Sequence, residues 1–403
     1  MKVVILSEAF AKNMGYISNM LPKSLARLGV EVHVLALNLP PYYQIDDFEE
    51  SYSKFMKKTD LIAGTVEDLD GFKLHRLNYK KRLGYMSMVG LEKKLKDIGP
   101  DIVYSLGCIG WLPLQAALAK RKFNFKLFTG NHTTHSTFPL TKESYSIWNL
   151  NMWRNGITRW FPGRLVSLVT EICYGATIDC SDIAVRFFGV QKAKIDTIPL
   201  GVDTDLFFPL SESDKADRRN RLRLKFGFQS DDIVCIYTGR MSNDKNPLLL
   251  AKAITELRKS NSSFNAIFLG DGVQKKEIET HDGCVVHPFV PVYELPDYYH
   301  AFDIGVWPTQ ESTSMLDASA SGLPIIVNHT LAAVERVEGN GIMYNLGDVK
   351  DLSRAIGELS VSDLRERLGQ VGSAKMASTF SWLSLAERRL ADFRKALGQQ
   401  GVI

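Results

Sequence analysis

The chain is sparing with cysteine, carries no large excess of either charge, and has no apolar run that reaches membrane-spanning length without a break. Each lack excludes a class. The five cysteines, Cys108, Cys173, Cys180, Cys235 and Cys284, are odd in number and contain no Cys-x-x-Cys pair. A zinc ribbon or a disulfide framework is therefore not expected; free buried thiols in a reducing compartment are. A net charge of +4, spread evenly, is too small for a nucleic-acid surface but compatible with an anionic ligand at a local site. The apolar start at Val3-Val4-Ile5-Leu6 is too short for a signal peptide and fits a first buried strand. Two longer uncharged runs, 102–119 and 318–334, are broken by Gly107, Gly110 and Pro113 and by Gly322 and Pro324. Each reads as strand, turn and helix, not a membrane span. The expected location is cytoplasmic, with peripheral contact at the inner membrane face as the variant. The sequons at Asn131, Asn261 and Asn328 are then accidental.

What is present is alternation. The length of 403 residues suggests two domains, and 45% hydrophobic with 23% charged residues is ordinary for globular proteins. Residues 3–6 and 30–37 read as strands around a helix at 19–28, which Gly29 ends. Strand, helix, strand implies a parallel sheet. Residues 101–104, 126–129, 176–179 and 194–198 continue the strand series. The pattern restarts at 233–238, with a helix at 247–258 and strands at 266–269, 285–288, 304–307 and 325–327. The fold class expected is α/β, with two Rossmann-like blocks in series. The boundaries expected are 1–200, 201–379, and a closing helix within 380–403 that packs back toward the first block. The basic stretch 210–225, with Arg218, Arg219, Arg221 and Arg223, reads as a solvated helix. The stretch 148–164 mixes Trp148, Trp153, Trp160 and Phe161 with Arg154, Arg159 and Arg164. It reads as a helix with core aromatics; a membrane surface or lipid-linked acceptor is the other reading.

Several short segments then carry a resemblance. Residues 198–207, Ile-Pro-Leu-Gly-Val-Asp-Thr-Asp-Leu-Phe, resemble the linker into the second domain of GT4-type (glycosyltransferase group 1) retaining glycosyltransferases. Thr238-Gly239-Arg240 with Lys245-Asn246 resembles their phosphate-binding loop. Leu269-Gly270-Asp271-Gly272, His287-Pro288-Phe289-Val290 and the run from Asp317 to Pro324 are similar to later signposts, and Phe380-Ser381-Trp382 to the start of their last helix. The first half matches through Gly15 and His132. The resemblance implies the GT-B fold, two Rossmann-like domains facing across a cleft. It implies a nucleotide diphosphate sugar as donor, a glycan or lipid-linked acceptor, and no metal or cofactor.

The chemistry fits that expectation. A departing nucleotide diphosphate gains negative charge, and without a metal Arg and Lys must neutralise it. Arg240 closes a strand at the edge where α/β sheets bind ligands, and Lys245 follows five residues later. A surface pair in a turn is the bland alternative. The resemblance gives Asp317 the ribose hydroxyls; a carboxylate can accept two hydrogen bonds from a diol. The family's Glu-x7-Glu is altered here, because Thr309 fills the first Glu position and Asp317 the second. Either Glu311 takes the first acid's work, or Gln310 and the backbone amides of Ser312, Thr313 and Ser314 do. Gly15 either lets backbone amides approach phosphate or makes a tight turn. His132 either bonds a donor hydroxyl or orients the acceptor, or is a solvated loop residue; with His135 it lacks a third metal ligand. Gly270 is a turn glycine open to a backbone contact with the donor, and Phe289 passes the nucleobase. Asp203-Thr204-Asp205 mimics a metal-binding Asp-x-Asp but falls at the linker, where Asp caps turns. Two other activities stay open: a nucleotide-sugar 2-epimerase of this architecture, and a non-catalytic sugar or lipid-surface binder.

Overall fold

The structure, a computed structural model, describes residues 1–12, 14–41, 61–135, 137–138, 140, 150–309, 312–331 and 333–399. The chain forms two units: 1–200 together with the chain from Trp382, and 201–381.

The first unit is built on an eight-stranded sheet in the order β10-β9-β8-β7-β1-β2-β4-β3. These are β1 (Lys2–Ser7), β2 (Glu31–Leu37), β3 (Val66–Leu69), β4 (Phe72–Leu77), β7 (Ile102–Ser105), β8 (Lys126–Asn131), β9 (Thr170–Gly175) and β10 (Ile195–Thr197). All pairings are parallel except that of the edge strand β3 with β4. A separate hairpin pairs β5 (Tyr79–Arg82) with β6 (Tyr85–Met88). The central strands are apolar along their length because helices cover both faces. The helix Trp382–Ala396 belongs to this unit: Trp382, Leu385, Leu390 and Phe393 join Val3, Ile5, Leu21 and Phe128 in one core. The Phe393 and Phe128 ring centroids are 4.6 Å apart, and Tyr174 Oη donates to Asp392 at 2.9 Å.

One strand lies earlier than expected. Residues 176–179 are not a strand; β9 precedes them, and they open the helix Ile178–Phe187. Thr177 is the reason. Its hydroxyl accepts from the Cys180 amide, an N-cap that turns the chain out of extended geometry.

The second unit carries a six-stranded, all-parallel sheet ordered β13-β12-β11-β14-β15-β16. Its strands are β11 (Ile233–Thr238), β12 (Phe264–Leu269), β13 (Cys284–His287), β14 (Ile304–Trp307), β15 (Ile325–Asn328) and β16 (Gly341–Tyr344). Strand order reverses between β11 and β14, which makes the gap at their C-terminal ends the ligand-binding crevice of such sheets. The helix Glu212–Phe226 is less solvated than expected. Arg223 is fully buried and, with Arg219, pairs with buried Asp303 at 2.6 and 2.7 Å. Asp303 also accepts from the Val234 amide at 2.8 Å, tying the starts of β11 and β14 together. Burial alone would raise the Asp303 carboxyl, but Arg219, Arg223 and that amide hold it below the usual range.

The stretch 148–164 also departs from expectation. The helix there exposes Trp153, Trp160 and Phe161, so they are not core residues; Trp148 lies outside the described residues. The cysteines are free, four of them buried and Cys284 partly so. Among the described residues no helix is long and apolar enough to cross a membrane.

Candidate functional site

Four loops leave the C-terminal ends of β11 to β14. Two are stacked backbone on backbone. Gly270 has φ +156°, and a Cβ there would sit 1.9 Å from the Gly239 carbonyl oxygen; at Gly272 it would meet the Met241 oxygen at 2.7 Å. Only glycine permits such an approach. The Gly239 amide donates to Leu269 and the Met241 amide to Asp271. The Phe289 ring, following β13, comes within 3.5 Å of that same hypothetical Cβ. Gly239, Gly270 and Phe289 therefore meet at one edge.

Arg240 and Lys245 stand on this platform. Arg240 is half-buried, with Nη2 3.7 Å from the Asp244 carboxylate. Burial would raise the Asp244 pKa, but nearby Ser242 and the charges of Arg240 and Lys245 carry it below the carboxylate range. Buried Gln274, which sequence reasoning missed, shapes the loop. Its side-chain amide donates to Asn243 and Asn246, its Oε1 accepts from the Leu248 amide, and its backbone amide donates to Met241. Asn246 takes φ +46°, a left-handed conformation that Asn tolerates better than most residues. A lone glutamine far along the chain gives no motif that could have disclosed this.

After β14 the chain is fixed from behind. Asn328 donates to the carbonyls of Pro308 and Thr309, and Tyr344 Oη to that of Pro308 at 2.6 Å. Trp307 Nε1 donates to Thr238 O at 3.2 Å and Ser314 Oγ at 3.1 Å, and Tyr299 Oη lies 3.0 Å from Thr238 Oγ1. The end of β11 is thereby linked to the helix Ser314–Ala320. Ser314 is a structural link, Ser312 Oγ lies 2.7 Å from its hydroxyl, and Thr313 is exposed. The Ser312 and Ser314 amides already have internal partners, Met315 Sδ and Ser312 Oγ, each at a long 3.4 Å. Gln310 and Glu311 lie outside the described residues.

Asp317 lies in the first turn of that helix and keeps partial solvent contact. Its carboxyl is pushed up to about 8, first by burial and then by the charge of Asp203. Asp203 thus does more than cap a turn, although its carbonyl and carboxylate do accept from the Phe207 and Asp205 amides. No group of three metal-ligating side chains occurs among the described residues. A cavity of 520 Å³ lined by Arg219, Asp303, Ser321 and Arg365 lies at the opposite, N-terminal ends of β14 and β15, away from these loops.

In the first unit the loop after β1 is held by Arg76, which is buried and donates to Phe10 O at 2.9 Å, and by Asn19, which donates to Ala11 O. Gly15, on this loop, is exposed, and a Cβ there would meet nothing within 4 Å. Neither close packing nor a left-handed φ demands glycine at this position. Glu8, at the end of β1, has its pKa raised by burial, a perturbed acid that sequence reasoning passed over. His132 follows β8 and is exposed, yet surrounding protein atoms lower its imidazole to about 4, with help from the Arg389 charge. The shift favours the neutral ring. His135 instead faces Asp182 at 3.1 Å.

Residues 20–206 match the model of "Glycosyltransferase Family 4", and 232–361 that of "Glycosyl transferases group 1". A D-inositol 3-phosphate glycosyltransferase of Xylanimonas cellulosilytica is 26% identical over 57% of this chain and 58% of its own length. A spore coat protein SA of Bacillus subtilis is 26% identical over 52% of this chain and 60% of its own. The chain thus spans between half and two thirds of the first curated relatives it matches. Among solved structures, the Anabaena HepE protein in complex with UDP covers 98% of this chain and 100% of its own at TM-score 0.71 and 13% identity. A Rickettsia africae glycosyltransferase covers 99% of both at TM-score 0.68 and 14% identity. The fold is GT-B, and with two family models matched in their expected order the chain belongs to the GT4-type, group 1 glycosyltransferases.

Proposed function

We propose that the protein is a retaining, metal-independent glycosyltransferase that moves a sugar from a nucleotide diphosphate sugar to a glycan or glycolipid acceptor. One observation carries the reading: Arg240, 3.7 Å from the Asp244 carboxylate, and Lys245, five residues on in the same loop, stand beside the crevice where strand order reverses. Two cations in one short loop at such a crevice suit the two phosphates of a diphosphate. Asp244 then acts as a resident counter-ion that the donor displaces. The HepE structures contain UDP and UDP-glucose, which supports a uridine nucleotide as the first donor to try.

In this reading Asp317 receives the ribose hydroxyls and Phe289 flanks the base. The bond from the sugar's anomeric carbon to the phosphate oxygen breaks while the acceptor oxygen bonds to the same face. The departing phosphate oxygen takes the acceptor's proton, and Arg240 and Lys245 stabilise its charge. Neutral His132 bonds a sugar hydroxyl or the acceptor. Ser312, Thr313, Ser314, Gly270 and Gly15 contribute through backbone atoms. The test is Arg240→Ala, assayed for transfer from a panel of nucleotide sugars. Turnover should fall roughly 10²- to 10³-fold, as when a leaving-group donor is lost, with the melting temperature unchanged and the thermal shift on adding nucleotide diphosphate reduced. Turnover within about twofold of the parent would refute the assignment.

A further inference from the structure

The helical stretch 150–169 is inside out. It runs as Leu150–Asn155, one π turn at Gly156–Trp160, and Phe161–Val169, with helical backbone angles through both junctions. Apart from Val166, which joins the core, its buried positions are small or polar. Asn155 is buried and donates to Phe187 O at 2.9 Å; Ser167 is buried and accepts from the Gln191 amide at 2.9 Å. A Cβ on Gly163 would strike the Phe188 carbonyl oxygen at 2.0 Å, so the helix sits tight against the unit there. Its outward side is apolar. Leu150 is 81% exposed, Ile157 69% and Trp153 61%, and Trp160, Phe161, Leu165 and Leu168 are exposed as well. These positions recur every three or four residues, a single stripe. The π turn adds one residue to the turn and keeps the stripe in line across the junction.

Charge within this helix and the neighbouring hairpin has one sign. Residues 150–169 contain Arg154, Arg159 and Arg164 and no acid. Arg159 Nε donates to Tyr85 Oη at 3.0 Å, which brings the β5–β6 hairpin alongside. That hairpin exposes Lys80, Lys81 and Arg82 and ends in Leu83, 86% exposed; it too lacks an acid. We propose that this face of the first unit docks on an anionic lipid bilayer surface. The apolar stripe enters the headgroup boundary, and Lys80, Lys81, Arg82 and Arg154 meet lipid phosphates. A stripe of Trp, Phe, Ile and Leu whose own helix and neighbouring hairpin carry only basic charges is what an interfacial helix requires. A self-association face would want acids to answer these cations. The inference rests on the helix and hairpin alone and stands whatever sugar is transferred.

The test is co-sedimentation of the full chain with vesicles of phosphatidylcholine, with and without about 30% phosphatidylglycerol. Binding is expected to the anionic vesicles only, and to weaken when salt rises from about 0.1 to 0.5 M. Two double variants, Trp153→Ser with Ile157→Ser and Lys80→Glu with Lys81→Glu, should each cut partition about tenfold or more. All four positions are exposed, so the melting temperature should hold. Absent wild-type binding, equal binding to neutral vesicles, or variants that bind like the parent would overturn the proposal. So would sedimentation analysis showing that Trp153→Ser with Ile157→Ser turns a dimer into a monomer, which would assign the face to a second copy.

Discussion

At the scale of single residues, Asp317 is where binding and stability conflict. Its carboxyl sits near pKa 8 in the folded chain because burial and Asp203 disfavour the charge. Between about pH 4 and 8 the native state therefore holds a proton that the unfolded chain has released, and stability falls as pH rises through that window. Asp317→Asn should raise stability at about pH 7.5 by an amount on the order of a few kcal/mol, read as a higher melting temperature, since partial exposure limits the cost. The gain should vanish near pH 4. Calorimetry across that range checks it; a gain independent of pH would contradict the charge argument. The places of Arg240 and Lys245 after β11 and of Asp317 in a first helical turn were legible because each sits in a short motif beside a strand or helix end. Asp203 against Asp317 was not, being a contact between residues more than a hundred positions apart. Gln274 was hidden likewise: it acts on backbone groups, which leave no trace in residue type.

Elements show the same division. Strand and helix order followed from alternation, and β11, β12, β14 and β15 lie where their apolar runs predict. The helix Glu212–Phe226 was read as solvated because its charges dominate its composition. Arg219 and Arg223 are four residues apart and share one face, and that face turns inward because Asp303 waits there. Only the pair makes sense of it; neither half is informative alone. Asp303→Asn would leave two guanidinium groups facing a neutral amide in the interior. The expected loss is about 3 to 5 kcal/mol of stability, read as a lower urea midpoint with little change in slope. A loss under about 1 kcal/mol would mean that the pair behaves like a surface ion pair. The helix at 150–169 failed in the opposite direction: aromatic content suggested core, whereas its buried positions are Asn155, Gly163, Val166 and Ser167.

At the scale of the whole chain, the first unit is discontinuous. Its core includes Trp382, Leu385, Leu390 and Phe393, while 201–381 builds its own cluster around Ile236, Phe268 and Trp307. Ending the chain after Ser381 should therefore destabilise the first unit selectively. Each large buried side chain removed costs about 2 to 5 kcal/mol, so residues 1–200 should lose cooperative melting and amide protection while 201–381 keeps both. Hydrogen exchange followed by peptide mass analysis separates the two. Equal loss in both units would show that the division at Leu200 is not a folding boundary.

That discontinuity also has a temporal side. On the ribosome, the opening two hundred residues cannot bury Val3, Ile5 or Phe128 under their closing helix until everything from Gly201 to Ser381 has been translated. At ordinary elongation rates the wait is on the order of ten to forty seconds. The half that is made first is thus finished last, and through that interval its apolar surface is what a nascent-chain chaperone would find.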